Sequence, residues 1–283
     1  MSVRIIVDSA SDIIAERAAE LDVTVLPLKT IFGEEEFLDG VTMTHREFYE
    51  KLIESDVHPT TSQVAPYDYE KAFAEVKEAG DTAVCITLSG KLSGTYQSAN
   101  IAREDFEDIV TIVDSENVAV GEQILIERAV QLRDEGKTAK EIAEILEEEK
   151  KNVRLIALLD TLEYLKKGGR ISGAAAAVGG ILSIKPVIAI ENGVIEVLGK
   201  ARGSKNGQNL LREYTTKQGK IDFSKPFKLA YTGLSDQLLK KYIADSQELY
   251  GEFKGEELPI STIGSTIGTH AGPGAIAVAF FVK

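Results

Sequence analysis

Positive charge is in deficit in this 283-residue chain: 32 Lys and Arg stand against 45 Asp and Glu, a formal net charge of −13. That balance argues against a duplex nucleic-acid binder, which needs a basic face to displace counterions. Cysteine is almost missing. The single one, Cys85, excludes an internal disulfide. Its place in the apolar run TAVCITL (residues 82–88) makes it a small core residue rather than a nucleophile. Histidine is scarce as well, at three, and His270 has no second ligand at metal-binding spacing, so no metal site is expected. No apolar run approaches the roughly 18 residues that a membrane-spanning helix needs. The N-terminus, MSVRIIVDSASD, lacks the basic and apolar regions of a signal peptide. These absences point to a soluble, cytoplasmic protein. With 43% hydrophobic and 27% charged residues, its composition is that of a globular chain with ample material for a core.

What is present is an alternation of β-branched runs and amphipathic stretches. Residues 3–8, 23–28, 82–88 and 109–114 read as strands, separated by helical stretches at 13–21, 44–55, 67–79 and 96–104. Two further helices follow at 118–135 and 138–152. Thr44 with Glu47, and Thr138 with Glu141, have capping-box spacing. Ser11 or Asp12 is placed to cap the first helix. Strands alternating with helices predict a parallel sheet in an α/β/α layer. After Asn152 the pattern changes. Asn192-Gly193 divides two strand runs as a hairpin turn does, and strand–helix units follow to a closing strand at 275–282. The expected architecture is therefore α/β in two domains: 1–152 with a parallel sheet, and 153–283 with a mixed sheet.

The polar loops carry the chemistry. LSGKLSGTYQSA (residues 88–99) runs from a strand through a small-residue loop into a helix, where free N–H groups and the positive helix end suit an anion. It is not a P-loop, because Leu92 follows Gly90-Lys91, and it is not a nucleophile elbow, because G-K-L-S-G lacks the G-x-S-x-G spacing. PTTSQ (59–63) gathers neutral hydrogen-bonding groups within a loop, 57–66. GGRIS (168–172) sets Arg170 beside a helix break, and a guanidinium suits carboxylate or phosphate. The Gly-rich segment 264–274 reads as a constrained turn holding His270, whose imidazole could be protonated beside an anion. His45 and His58 are expected to be solvated. Asp8, Asp12 and Asp114 close predicted strands; Mg²⁺ binding is conceivable there, but caps and turns account for them better.

Together and in this order, DSASD (8–12), TSQ (61–63), LSGTYQSA (92–99), GGRIS (168–172) and IGTHAGPGA (267–275) closely resemble the DegV family across essentially the whole chain. Val64-Ala65 departs from the Pro-Ser that often follows TSQ in that family. The resemblance implies a fatty-acid-binding protein of two α/β domains. Its implied ligand is a long-chain fatty acid of the C16–C18 class, with no other cofactor. The carboxyl group would be held by Thr61 and Ser93, with Ser62, Gly94, Thr95, Arg170 and His270 nearby. The resemblance further implies a carrier without catalytic residues of its own, which shows its lipid to a separate ATP-dependent kinase for acyl-phosphate formation. The Ala- and Gly-rich stretch 171–184 is a candidate tunnel wall. Two other classes stand beside this reading. A serine-dependent hydrolase or acyltransferase would need Ser93 Oγ within hydrogen-bond reach of His270. A lipid-responsive regulator would share the pocket and differ only in its partner.

Overall fold

The computed structural model describes residues 2–171, 184–251, 253–254 and 257–283. The first half runs β1 (Val3–Asp8), α1 (Ala15–Leu21), β2 (Val23–Leu26), β3 (Lys29–Phe32), β4 (Glu35–Leu38), α2 (His45–Glu54) and β5 (Thr60–Ser62). It continues with α3 (Pro66–Glu78), β6 (Thr82–Thr87), α4 (Thr95–Arg103), β7 (Val110–Asp114), α5 (Ala119–Asp134) and α6 (Ala139–Glu149). The second half runs β8 (Val153–Leu158), α7 (Glu163–Lys167), β9 (Ile184–Glu191), β10 (Val194–Arg202), α8 (Ser204–Lys217) and β11 (Phe227–Tyr231). It ends with α9 (Gln237–Asp245), β12 (Ile260–Thr262), α10 (Ser265–Ala271) and β13 (Ile276–Phe281).

The expected α/β class holds. A parallel sheet of order β2-β1-β6-β7 takes its strands from before residue 115. A mixed sheet of order β10-β9-β8-β13-β11-β12 takes its strands from residue 153 onward. The hairpin between β9 and β10 turns on Asn192 and Gly193, both at positive φ, as the Asn-Gly pair predicts. Both capping boxes form, closing the N-termini of α2 and α6 with reciprocal bonds between Thr44 and Glu47 and between Thr138 and Glu141.

α5 joins the two sheets. It packs against β1 on one side and against β8, β11 and β13 on the other. Its buried residues, Val120, Ile124, Leu125, Ile126, Ala129, Val130 and Leu132 among them, lie all around the helix. A helix apolar on every face is one buried on every face. The principal core is therefore continuous from Ile5 and Ile86 in the parallel sheet to Leu155 and Ala279 in the mixed one.

Four local expectations are corrected. Residues 57–66 are not all loop: Thr60–Ser62 is strand β5, paired with β3 in a small antiparallel sheet of order β4-β3-β5. Most of 264–274 is not a turn: Ser265–Ala271 is helix α10, and the turn is confined to Gly272, Pro273 and Gly274. α1 carries no side-chain cap; instead Asp8 caps a short 3₁₀ turn, Ser9–Ser11. The candidate tunnel wall 171–184 lies almost wholly outside the described residues.

Candidate functional site

The motifs are scattered along the chain but converge through side chains. Thr61, on β5, meets His270, on the last turn of α10, at 2.9 Å between Oγ1 and Nε2. α10 is held for this by Asp39, just beyond β4. Its carboxylate accepts from the backbone N–H groups of Ser265 and Thr266 and from the hydroxyls of Ser265 and Ser9. A buried carboxylate with four donors satisfies the helix start and complements its dipole. His45 also belongs to this anchor rather than to solvent. Its Nδ1 lies 2.8 Å from Thr262 Oγ1, and burial lowers its pKa while the nearby Asp39 opposes that shift. His58 is half-buried and tilts against the ring of Tyr164.

The second convergence joins TSQ to LSGTYQSA. Gln63 donates from Nε2 to Ser98 Oγ at 2.6 Å, and its carboxamide lies directly over Gly94. A Cβ at position 94 would stand 2.0 Å from Gln63 Oε1, so any other residue there must displace this carboxamide. Ser93 Oγ pairs with Thr95 Oγ1 at 2.9 Å, at the start of α4, where the first-turn N–H groups have no intrahelical partner. Arg170 reaches the same loop, donating from Nε to the Leu92 carbonyl at 3.2 Å and from Nη1 to the Gly168 carbonyl at 2.7 Å. Gly168 is likewise in close contact: a Cβ there would lie 2.1 Å from His270 Nδ1.

His270 is neutral here. Burial, with the positive charge of Arg170 and the proximity of His58, pushes its pKa down to about 4. With Arg170 as its charged neighbour the ring offers a neutral hydrogen-bonding edge at physiological pH. Nor are Ser93 and His270 paired, since the serine hydroxyl bonds Thr95 and the imidazole bonds Thr61. The nucleophile–base contact of a serine hydrolase is not assembled. The acidic starts have structural partners. Asp8 accepts from the N–H groups of Ala10 and Leu88, Asp12 from that of Gly264, and Asp114 from those of Gly90 and Glu116. Among the described residues no group of three His, Cys, Asp or Glu side chains could hold a metal ion. Cys85 is fully buried, and burial raises its thiol pKa far above the ordinary value.

These polar groups rim a cavity of about 260 Å³ between the loops and the face of the mixed sheet. Thr61, Ser62, Gln63, Ser93, Gly94, Arg170 and His270 line it at the polar end. Its floor follows from strand register. Ile188 pairs with Ala157, Ala157 with Ala277 and Ala277 with Ala230, one row across four strands and one face of the sheet. Three consecutive alanines leave space where larger residues would fill it. Leu28, Leu88, Val118, Leu159 and Ile263 close the sides, so connections from both halves of the chain contribute to the walls. Sequence reasoning missed this row, as it missed Thr266, whose buried hydroxyl has no partner among the described residues and which also lines the cavity. Thr95, an expected neighbour of the head group, is not a lining residue; its hydroxyl meets that of Ser93.

An apolar chamber closed by neutral donors and one guanidinium defines a container for an amphiphile with a small acidic head. The comparisons agree with that class. The family model described as "Uncharacterised protein, DegV family" matches residues 2–283. A DegV domain-containing protein of Deinococcus radiodurans is 33% identical, covering 99% of this chain and 98% of its own. A DegV family protein from Thermus thermophilus, solved for its fatty acid binding, is 30% identical with a TM-score of 0.87, covering 100% of both chains. A stearic acid-binding protein from Eubacterium ventriosum is 28% identical with a TM-score of 0.88, covering 100% of this chain and 99% of that one. The chain belongs to the DegV family.

Proposed function

We propose that this protein binds one long-chain fatty acid, with its carboxyl group at Thr61 and Ser93 and its tail on the alanine floor. The observation that carries the reading is the pairing of that apolar cavity with a rim of hydroxyls, amide and guanidinium. Each buried CH₂ contributes about 0.8 kcal/mol, so a sixteen-carbon tail offers roughly 10 kcal/mol gross before ordering costs. Desolvating the head costs several kcal/mol unless donors receive it. Thr61, Ser93, Ser62 and the N–H groups around Gly94 and Thr95 supply such donors. Fatty-acid binding by the Thermus thermophilus and Eubacterium ventriosum relatives supports the same assignment. In this reading residues 1–152 supply the head-group loops, and 153–283 supply the floor together with Arg170 and His270.

The protein is then a cytoplasmic carrier rather than an enzyme, and a separate ATP-dependent kinase acts on the exposed head. The carboxylate oxygen attacks the γ-phosphorus of ATP, ADP leaves, and acyl phosphate forms. Phosphoryl transfer needs a phosphate cradle and Mg²⁺, and the P-loop pattern is missing from this sequence. Arg170, a cation at the rim, would steady the acyl phosphate. The test combines stearate-loaded protein, Mg·ATP and an extract of the source cell, with hydroxylamine as the trap. Acyl hydroxamate that forms only when carrier and extract are both present supports the reading. Equal yield without the carrier contradicts it. Arg170→Ala is expected to lower the hydroxamate yield about tenfold or more while changing stearate affinity only a few-fold; equal losses in both would place Arg170 in the primary socket.

A further inference from the structure

The acyl cavity abuts a second one, of about 320 Å³, and Leu155 and Ile190 line both. The two residues are 5% and 6% exposed. The register that pairs Ala157 with Ile188 and Ile156 with Ala189 puts Ile190 opposite Leu155. The pair lies at the end of the floor remote from Arg170 and His270. β8 runs from Leu155 through Ala157 to Leu159, then leads by way of α7 to Arg170. β13, antiparallel to β8, begins next to the end of α10 that carries His270. Four strand residues at ~3.3 Å each set Leu155 about 13 Å farther along the floor than Leu159.

Behind this pair the environment changes. The second cavity is lined by Glu116, Asn117, Lys150, Arg154, Glu191 and Asn192, among others. The Lys150 side chain is only 8% exposed and is bound to Glu147 at 2.7 Å, Glu116 at 3.4 Å and the Asp114 carbonyl at 2.9 Å. A methyl terminus pushed among these groups would strip water from an ion cluster and return no hydrogen bond.

We propose that Leu155 and Ile190 form the end wall of the acyl cavity and set the length of acyl chain it accepts. This rests on the reading of the cavity as a fatty-acid site. The wall excludes overlong chains twice, by its own bulk and by the charged chamber behind it. Shortening either side chain joins the two cavities.

The test offers an equimolar mixture of saturated straight-chain acids, twelve to twenty-two carbons long, to the delipidated full chain and reads the bound distribution by native mass spectrometry. Ile190→Ala and Leu155→Ala are expected to move the preferred length upward by about two carbons, because each takes three carbon atoms from the wall. Ile190→Phe is expected to move it downward, and it carries the test in the opposite direction if the alanine variants do not fold. Identical distributions in the wild type and the folded variants would overturn the wall while leaving the lipid reading intact. A wild-type chain that takes up no acid would overturn both.

Discussion

The rim and the floor of the cavity are built on opposite plans. At the rim four polar side chains already have partners: Thr61 with His270, Ser93 with Thr95, Gln63 with Ser98, Arg170 with two carbonyls. The floor works by omission, with Ala157, Ala230 and Ala277 leaving space in a sheet otherwise lined by leucine and isoleucine. The difference separates position from affinity. A rim of largely satisfied groups, neutral but for Arg170, costs little when empty and can exchange one partner for a carboxyl oxygen. A floor of small residues sets how much tail is buried, and the tail holds most of the free energy.

The most severe way to break this arrangement is to fill the floor. Ala277→Phe is expected to lower stearate affinity by about 100-fold or more, because the ring occupies the space of several methylenes. Isothermal titration would measure the loss, and a melting curve close to wild type would show that the fold survives. Second in size is Gly168→Ala. Its Cβ collides with His270 Nδ1 and forces the imidazole away from Thr61. A roughly tenfold loss of affinity and a Tm lowered by several degrees are expected. Unchanged affinity would mean that the Thr61–His270 contact does not position the head.

Smaller effects sharpen the contrast. Thr61→Val and Ser93→Ala each remove one donor and should weaken stearate about five- to tenfold. Neither should change the affinity for the methyl ester of the same acid, since the ester lacks the anionic head. Equal losses for acid and ester would assign these residues to general packing. The smallest effect is spectroscopic. His270 should titrate near pH 4 in the empty protein, and a carboxylate bound beside it should move that midpoint upward, because an opposite charge favours the protonated ring. The sign for binding follows: stearate stabilises the protonated ring, so its affinity should rise as pH falls from 7 towards 5. Two-dimensional NMR of the imidazole with and without stearate would measure both midpoints, and a midpoint that stays fixed or falls would place the head group elsewhere.

The sequence made the rim legible for a physical reason. Gly94 and Gly168 let the Gln63 carboxamide and the His270 ring approach closely, and Ser, Thr, Gln and Arg in short loops are visible against an apolar background. Partnership was not legible. Thr61 and His270 are 209 residues apart, and nothing local in TSQ or THAGPG links them. Strand β5 was hidden because Thr60–Ser62 is short and polar and depends on β3 for its bonds. Helix α10 was hidden by glycines at 264, 268, 272 and 274; it forms because Asp39, far away in sequence, caps it. The alanine floor was the least visible feature, since an alanine in a strand looks the same whether it packs under a helix or leaves room for a ligand. Only the register of β9, β8, β13 and β11 brings the three together.

The most direct test of the central claim is the mass of the protein as it comes from a bacterial host, weighed natively and again after denaturation. The account predicts a native excess equal to one fatty acid of sixteen to eighteen carbons, lost on denaturation. A bare native mass that stays bare after incubation with palmitate or oleate would contradict it.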